Sequence, residues 1–381
     1  MEQELERLRK LSAATDVEPA EDTGCRQVVR PCEEVITTHA SLPNGRQITL
    51  LKTLLSSACE KNCFYCGCRA GRDFERVIFK PEEFSDLFMR LHRGGITEGL
   101  FLSSGVLGGG VTTQDRLIDT AEILRNKLGY KGYLHLKIMP GSQKDQVLRA
   151  MQLADRISIN LEAPNPSRLA TLAPKKDFFN DLLTPLRYAE EIRRDLPACQ
   201  GWNGRWASST TQYVVGGSNE TDLELLATTE KLIRQFSLRR AYFSAFKPVS
   251  NTPLENKSPT NPIRQDRLYQ ASYLLRDYCF SLEDMPFVGD GNLPLEMDPK
   301  MAWAQIHLAE HPVEINRASR EELLRVPGFG PQAVRSILQA RQHKLFSQLE
   351  SLGKLSINSQ RAAPFILLNG KHPARQLSFA F

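Results

Sequence analysis

Between residues 48 and 278, short apolar runs alternate with longer stretches in which apolar positions recur every three to four residues. The runs ITLLKTLLS (48–56), GLFLSS (99–104), GYLHLKIMP (132–140), RISINLEAP (156–164), TTQYVVGG (210–217) and RAYFSAFKP (240–248) predict six strands. The periodic stretches 81–95, 112–129, 143–154, 219–237 and 262–278 predict helices. The first of them opens with Pro81, carries acids in its first turn and stops at glycine, which are start and stop signals of a helix. Strand–helix units with short connections argue for parallel strands with helices outside.

Parallel strands covered on both faces read as nearly uniform apolar runs. Two of these strands do not. Leu134, Leu136 and Ile138 share one face of theirs, and His135 and Lys137 occupy the other. In the next, Ile157, Ile159 and Leu161 oppose Ser158, Asn160 and Glu162. Burying a polar row without partners is costly. An edge strand turned to solvent would explain one such strand but hardly two neighbours. The pattern therefore predicts an α/β fold, a partial (βα)6 TIM-like barrel whose inner face holds a polar ligand near the C-terminal ends of its strands.

Charge divides the chain unevenly. The net charge is +5, yet residues 311–381 carry ten Lys or Arg against four Asp or Glu. The basic excess belongs to the C-terminal end, which points to a module that meets a polyanion behind a near-neutral body. The charged, heptad-like N-terminus reads as a short helix or a frayed tail, with the tail favoured, and with no apolar run of membrane-spanning length the expectation is a cytoplasmic protein with no membrane partner. Reduced thiols are the rule there, so clustered cysteines indicate metal binding or catalysis before disulfides. Cys25, Cys32, Cys199 and Cys279 are scattered and read as structural or inert thiols.

Four other cysteines fall within ten residues, CEKNCFYCGC, directly after the first predicted strand. Cys59, Cys63 and Cys66 have the spacing C-x3-C-x2-C. Three thiolates on a tight loop can hold three corners of a cubane iron–sulfur cluster, leaving one iron open to a small molecule. Zinc with Cys68 as a fourth ligand is also compatible, although structural zinc sites usually pair distant C-x2-C units. Cys68 itself reads as a protecting, redox-active or inert thiol.

On these residues the chain resembles the radical S-adenosylmethionine (SAM) enzymes, over roughly residues 45–250. Their hallmark is C-x3-C-x2-C after the first barrel strand with an aromatic residue before the third cysteine, the place that Tyr65 fills here. The resemblance implies a 4Fe–4S cluster on Cys59, Cys63 and Cys66, and SAM bound through its amino and carboxylate groups to the open iron. Reduction, by a protein such as flavodoxin or ferredoxin, would cleave SAM to methionine and a 5′-deoxyadenosyl radical that abstracts a substrate hydrogen atom. Ser103, Ser104 and Gly105 stand where the family has Gly-Gly-Glu, so the carboxylate of that stretch is missing. Asn160 and Glu162 resemble residues that hold the ribose and methionine moieties. Gly216 with Gly217 resembles the segment that approaches adenine, and Lys137 with His135 stand as candidates for the SAM carboxylate or the substrate. The catalytic residue that handles the radical is not assigned.

The second signal lies in VEINRASREELLRVPGFGPQAVRSILQARQ (313–343). Ser319 and Glu322 form a capping box, Pro327–Gly330 a tight turn, and Pro331 suits the first position of a helix. The stretch resembles a helix-hairpin-helix, which implies non-sequence-specific binding of duplex DNA. In that reading Gly328, Phe329 and Gly330 bring backbone N–H groups to a phosphate at a helix N-terminus, and Arg335, Arg341 and Lys344 reach neighbouring phosphates. Residues 346–366 look like a degenerate second copy, with Ser356, Ile357 and Asn358 in place of Gly-x-Gly, packed against the first.

The expected organisation is an N-terminal extension (1–44), a radical SAM barrel (45–284), a linker or cap (285–312) and a small all-α helix-hairpin-helix domain (313–381). Together these resemble the radical SAM proteins of DNA modification or repair. The expected function is hydrogen-atom abstraction from a base or sugar of DNA. The alternatives are a radical SAM enzyme that modifies RNA, and a non-catalytic DNA-binding protein with a structural or sensing cluster.

Overall fold

The computed structural model of the chain describes residues 2–15, 28–29, 36–41, 45–353, 355 and 357–373. Cys25, Cys32 and Ser356 lie outside them. The chain folds as two compact units: residues 1–220 with 231–265, and residues 221–230 with 266–381. The second unit thus begins well before the expected boundaries at 285 and 313.

In the first unit one sheet runs in sequence order from β1 (Val28–Val29) through β2 (Ile36–Ser41), β3 (Gln47–Leu54), β4 (Gly99–Ser103), β5 (Tyr133–Lys137), β6 (Arg156–Ser158) and β7 (Ser208–Val215) to β8 (Arg240–Ala245). The pairs from β3 to β8 are all parallel, which is the expected six-stranded partial barrel. The antiparallel pairs β1–β2 and β2–β3 extend it on the β3 side, an addition that the sequence pattern did not announce. Crossovers include α2 (Pro81–Arg93), α3 (Gly109–Glu122), α4 (Lys144–Leu153) and α6 (Thr184–Asp195), the last not foreseen.

The two faces of the sheet behave as their sequences require. Leu100, Leu102, Leu134, Leu136, Ile157 and Ile159 are fully buried on the helix-covered side. On the inner side Ile48, Leu50 and Phe101 form an apolar cluster with Ala40, against which Tyr133 packs. The polar inner residues are buried as well: His135 is 1% exposed, Ser158 4% and Lys137 6%.

The first described residues are not a free tail. Residues Glu2–Ala13 form helix α1, with Leu8 and Leu11 completely buried. The Arg7 guanidinium lies 4.1 Å from the Phe79 ring centre and bonds Glu83. Lys10 pairs with Glu75 and Glu4 with Arg90, each at 2.8 Å. The amphipathic spacing of the leucines is the physical reason: a helix with one apolar stripe buries it when a matching surface exists.

In the second unit, α10 (Arg320–Arg325) and α11 (Pro331–Ala340) are joined by a five-residue turn. The capping box forms as expected, with Ser319 Oγ accepting from the Glu322 N–H at 3.2 Å and Glu322 Oε2 accepting from the Ser319 N–H at 2.7 Å. Leu323, Leu324, Val326, Phe329, Val334 and Ile337 are at most 1% exposed and make one small core. Two shorter helices, α12 (Glu350–Gly353) and α13 (Ser359–Ala362), follow. Gly328 has φ +86°, and a Cβ there would lie 2.7 Å from the Asn358 carbonyl oxygen. The second helical pair therefore packs against the first turn. A short parallel pair, β9 (Val313–Glu314) with β10 (Ile366–Leu367), ties the ends of the module together, so it is not purely helical.

Candidate functional site

The chain leaves β3 into the cysteine loop and returns by an antiparallel bridge between Ser56 and Ile78. Arg76 organises this loop. Its guanidinium donates to the carbonyls of Ser57 (3.0 Å), Cys68 (2.7 Å), Arg69 (2.8 Å) and Arg72 (3.2 Å), and stacks 4.0 Å over the Phe74 ring. Five donors in a fixed fork suit Arg for gathering several carbonyls at once. Gly105, at the end of β4, lets the neighbouring strand press against the loop: its N–H donates to Ser56 at 2.7 Å, and a Cβ would come 2.4 Å from the Ala58 carbonyl oxygen.

One cavity at the C-terminal ends of the strands collects the predicted residues. Cys59, Cys63, Cys66 and Cys68 line it together with Tyr65, Ser103, Ser104, Gly105, Lys137, Asn160 and Glu162. Eleven positions spread over more than one hundred residues thus converge on one space. Gly216 is not among them. Its N–H is taken by Glu220, whose other oxygen accepts from the N–H (3.1 Å) and hydroxyl (2.7 Å) of Ser218, so this turn is held by its own carboxylate. His135 lies on the same inner face as Lys137, does not line the cavity, and among the described residues has no hydrogen-bond partner on either ring nitrogen. Burial, reinforced by the charges of Arg156 and Lys137, pushes its pKa well below the usual histidine value, so it is neutral.

The structure adds Lys176, which sequence reading missed. It enters the cavity from the loop after α5 (Pro166–Ala170) and pairs with Glu162 Oε1 at 2.8 Å. The two side chains are 10% and 3% exposed. Burial works against both charges, but each stabilises the other: Lys176 holds the Glu162 carboxyl below its ordinary value, and Cys63 with Glu162 raises Lys176 above its own. Glu162 sits in left-handed backbone, φ +65°, beside the Tyr65 hydroxyl, which helps hold its carboxyl down, and among the described residues its second oxygen has no close hydrogen-bond partner. A strained, buried carboxylate that lines a cavity is the kind of feature that marks a ligand site. A lysine in a run of Pro-Lys-Lys-Asp carries no such mark in sequence.

Burial pushes the Cys63 thiol up to about 12, with Lys176 pulling the other way. The Cys66 thiol is also raised, by the Cys68 thiol, which bonds it, and by burial. Buried thiols with raised pKa values are poor nucleophiles, and a metal must displace their protons to bind. Among the described residues, no three His, Cys, Asp or Glu side chains gather closely enough to grip a single metal ion. The thiols instead surround a space, which fits a cluster whose irons take one thiolate each at separate corners. The unsatisfied Glu162 oxygen and the nearby ammonium groups fit a zwitterionic ligand in the same cavity.

The residues assigned to DNA gather in the second unit, with altered roles. Phe329 is core, 1% exposed, so it serves packing and not contact. Arg341 turns inward and donates to the carbonyls of Ile315 (3.0 Å) and Ala318 (2.7 Å). Arg335 and Lys344 are exposed. Lys300, missed in the sequence, is 8% exposed and donates to the Phe329 carbonyl at 2.5 Å.

Residues 53–230 match the family model of the radical SAM superfamily. No curated protein matches the chain. Solved structures similar to it include the FeFe-hydrogenase maturase HydG from Carboxydothermus hydrogenoformans, at 17% identity over 60% of this chain and 51% of that one, with a TM-score of 0.48. Methylornithine synthase (PylB) aligns at 16% identity over 60% of this chain and 61% of its own, TM-score 0.46. A radical SAM methyltransferase from Sphaerobacter thermophilus aligns at 17% identity over 66% of this chain and 73% of its own, TM-score 0.44. The chain spans about half the length of the first of these. Among the described residues no helix is long and apolar enough to cross a membrane. The cysteine loop at the mouth of the parallel barrel thus falls within residues 53–230, the stretch that matches the radical SAM superfamily, whose enzymes use a 4Fe–4S cluster and SAM.

Proposed function

We propose that the enzyme abstracts a hydrogen atom from a base or sugar of DNA. The observation that carries the chemistry is the convergence of Cys59, Cys63 and Cys66 on one cavity with Lys137, Asn160, Glu162 and Lys176. When bound, the cluster and SAM supply a hydrogen-abstracting radical. The protein's own residues bind, orient and exclude water. Cys59, Cys63 and Cys66 would hold the cluster. Lys176 offers a cation to a carboxylate, and the free oxygen of Glu162 accepts from an ammonium or hydroxyl. Lys137, which donates to Asn160, and Gln212 close the inner side of the cavity. Met139, Leu182 and Val106 give it apolar walls, which keep water from the reacting centre. A reductant protein such as flavodoxin or ferredoxin would deliver the electron.

DNA as the substrate rests on the second unit. The excess of ten cations over four acids in residues 311–381, the glycine turn between α10 and α11, and exposed Arg335 and Lys344 support a phosphate grip of the helix-hairpin-helix kind. Such contacts fix position without reading bases. A nucleotide in a duplex must leave the stack to enter a barrel cavity.

The test is anaerobic turnover of the reconstituted enzyme with SAM, dithionite and either duplex DNA, structured RNA or no nucleic acid, with 5′-deoxyadenosine measured. We expect duplex DNA to raise its formation, and deuterium placed in the DNA to appear in it. Equal formation in all three arms, with no deuterium transfer, refutes DNA as the substrate while leaving the radical SAM chemistry standing.

A further inference from the structure

A second cavity, of about 590 Å³, opens in the first unit at the N-terminal ends of the strands, the opposite end from the thiols. Its inner wall is Tyr133 and Arg156, the first residues of β5 and β6, and its rim carries Lys131 and Arg205. Two acids, Glu98 and Asp155, also line it, but both are engaged. Glu98 pairs with Arg46 and accepts from the Thr49 N–H at 3.1 Å. Asp155 Oδ2 accepts from Arg125 at 3.1 Å and from the Leu134 N–H at 3.0 Å, and its other oxygen is 3.8 Å from Arg205.

Arg156 has no ion-pair carboxylate of its own among the described residues. Its Nε donates to Ser208 Oγ at 3.3 Å and its Nη1 to the Tyr242 hydroxyl at 3.2 Å. Burial works against its charge, but Tyr133, the Tyr242 hydroxyl and, at longer range, Asp155, itself shared between Arg125 and Arg205, hold its pKa above the ordinary arginine value. A guanidinium that keeps its charge firmly, has two neutral hydroxyls as hydrogen-bond partners and stands in a cavity wall with no carboxylate paired to it is placed to take an anion from that cavity. The planar fork suits an oxyanion with two oxygens in plane. Ser208, while accepting from Arg156, keeps its own hydrogen to donate to the same anion. Tyr133 and Trp206 also line the cavity, and its volume suits a ligand of nucleotide size.

We propose that this basal cavity is a binding site for a small phosphate monoester, anchored by Arg156 and Ser208 and steered by Lys131 and Arg205. It is independent of the nucleic-acid reading above, since it needs neither the second unit nor the thiols.

The experiment is titration calorimetry on the reconstituted enzyme with saturating SAM, so that the thiol-end cavity is filled. Inorganic phosphate, adenosine 5′-monophosphate and adenosine are the probes. We expect both phosphates to bind and adenosine not to, with Arg156→Gln weakening phosphate binding at least tenfold and leaving SAM binding unchanged. The surface double variant Lys131→Ser/Arg205→Ser should weaken it severalfold and carries little risk to folding. No binding of phosphate at millimolar concentration, adenosine binding as tightly as its monophosphate, or unchanged affinity in the double variant overturns the proposal.

Discussion

Removing Lys176 alone should cost the barrel more than removing the ion pair altogether. Lys176→Met leaves Glu162, 3% exposed, with its nearest cation gone. Breaking a buried pair from one side typically costs about 3–5 kcal/mol, because the remaining charge stays desolvated. In Lys176→Met/Glu162→Gln no charge is stranded, so most of that cost should return, leaving about 1–2 kcal/mol from lost hydrogen bonds. The sign with pH follows from the carboxyl. Its folded-state pKa is lowered by Lys176, so its contribution is present at neutral pH and is lost as pH falls through the folded value. The penalty of the single variant should accordingly shrink toward acid pH, where Glu162 is protonated with or without its partner. The assay is urea unfolding of the cluster-free protein under reductant, read by amide hydrogen exchange of peptides from residues 132–163 so that the first unit reports by itself. A loss under about 1 kcal/mol for Lys176→Met, or a double variant as unstable as the sum of the singles, refutes the reasoning.

Cys63→Ala should lose bound iron and its visible absorbance after anaerobic reconstitution, whereas Cys68→Ser should keep both; an equal loss of iron in the two variants would assign Cys68 to the ligand set. Leu11→Ala, at a site with 0% exposure, should destabilise the docking of α1 by about 2–5 kcal/mol and speed exchange of the amides of residues 2–13, and wild-type exchange there would return this segment to a tail. Burial lowers the Lys300 pKa to about 7, although the Phe329 carbonyl and the Tyr278 ring, 4.6 Å away, favour its charge. Between pH 7 and the ordinary lysine value the unfolded chain binds a proton that the folded one does not, so the second unit should gain at most about 1.4 kcal/mol per pH unit above 7. Lys300→Met should flatten that slope in denaturation followed at pH 7, 8 and 9, and an unchanged slope would place the titration elsewhere.

Local pattern alone determined a great deal here. The period of the apolar positions named six parallel strands, and the polar rows at His135–Lys137 and Ser158–Glu162 announced a lined interior, because side-chain alternation on a strand has no freedom to deceive. The spacing of Cys59, Cys63 and Cys66 and the capping box of Ser319 were equally local. What only the tertiary structure decided depends on side chains that reach across the fold. Lys176 meets Glu162 because a loop returns over the barrel mouth, and nothing within its own sequence neighbourhood records that path. Arg76 collects carbonyls from four residues, and Arg341 turns into its unit instead of toward solvent. The charged N-terminus becomes helix α1 because Phe79, Glu83 and Glu75 wait for it. Arg156 reads as one more strand residue until Ser208 and Tyr242 show that neutral hydroxyls stand where a counterion would. Secondary structure follows from the nearest few residues, whereas the partner of a long charged side chain is set by whichever segments folding happens to bring within its reach.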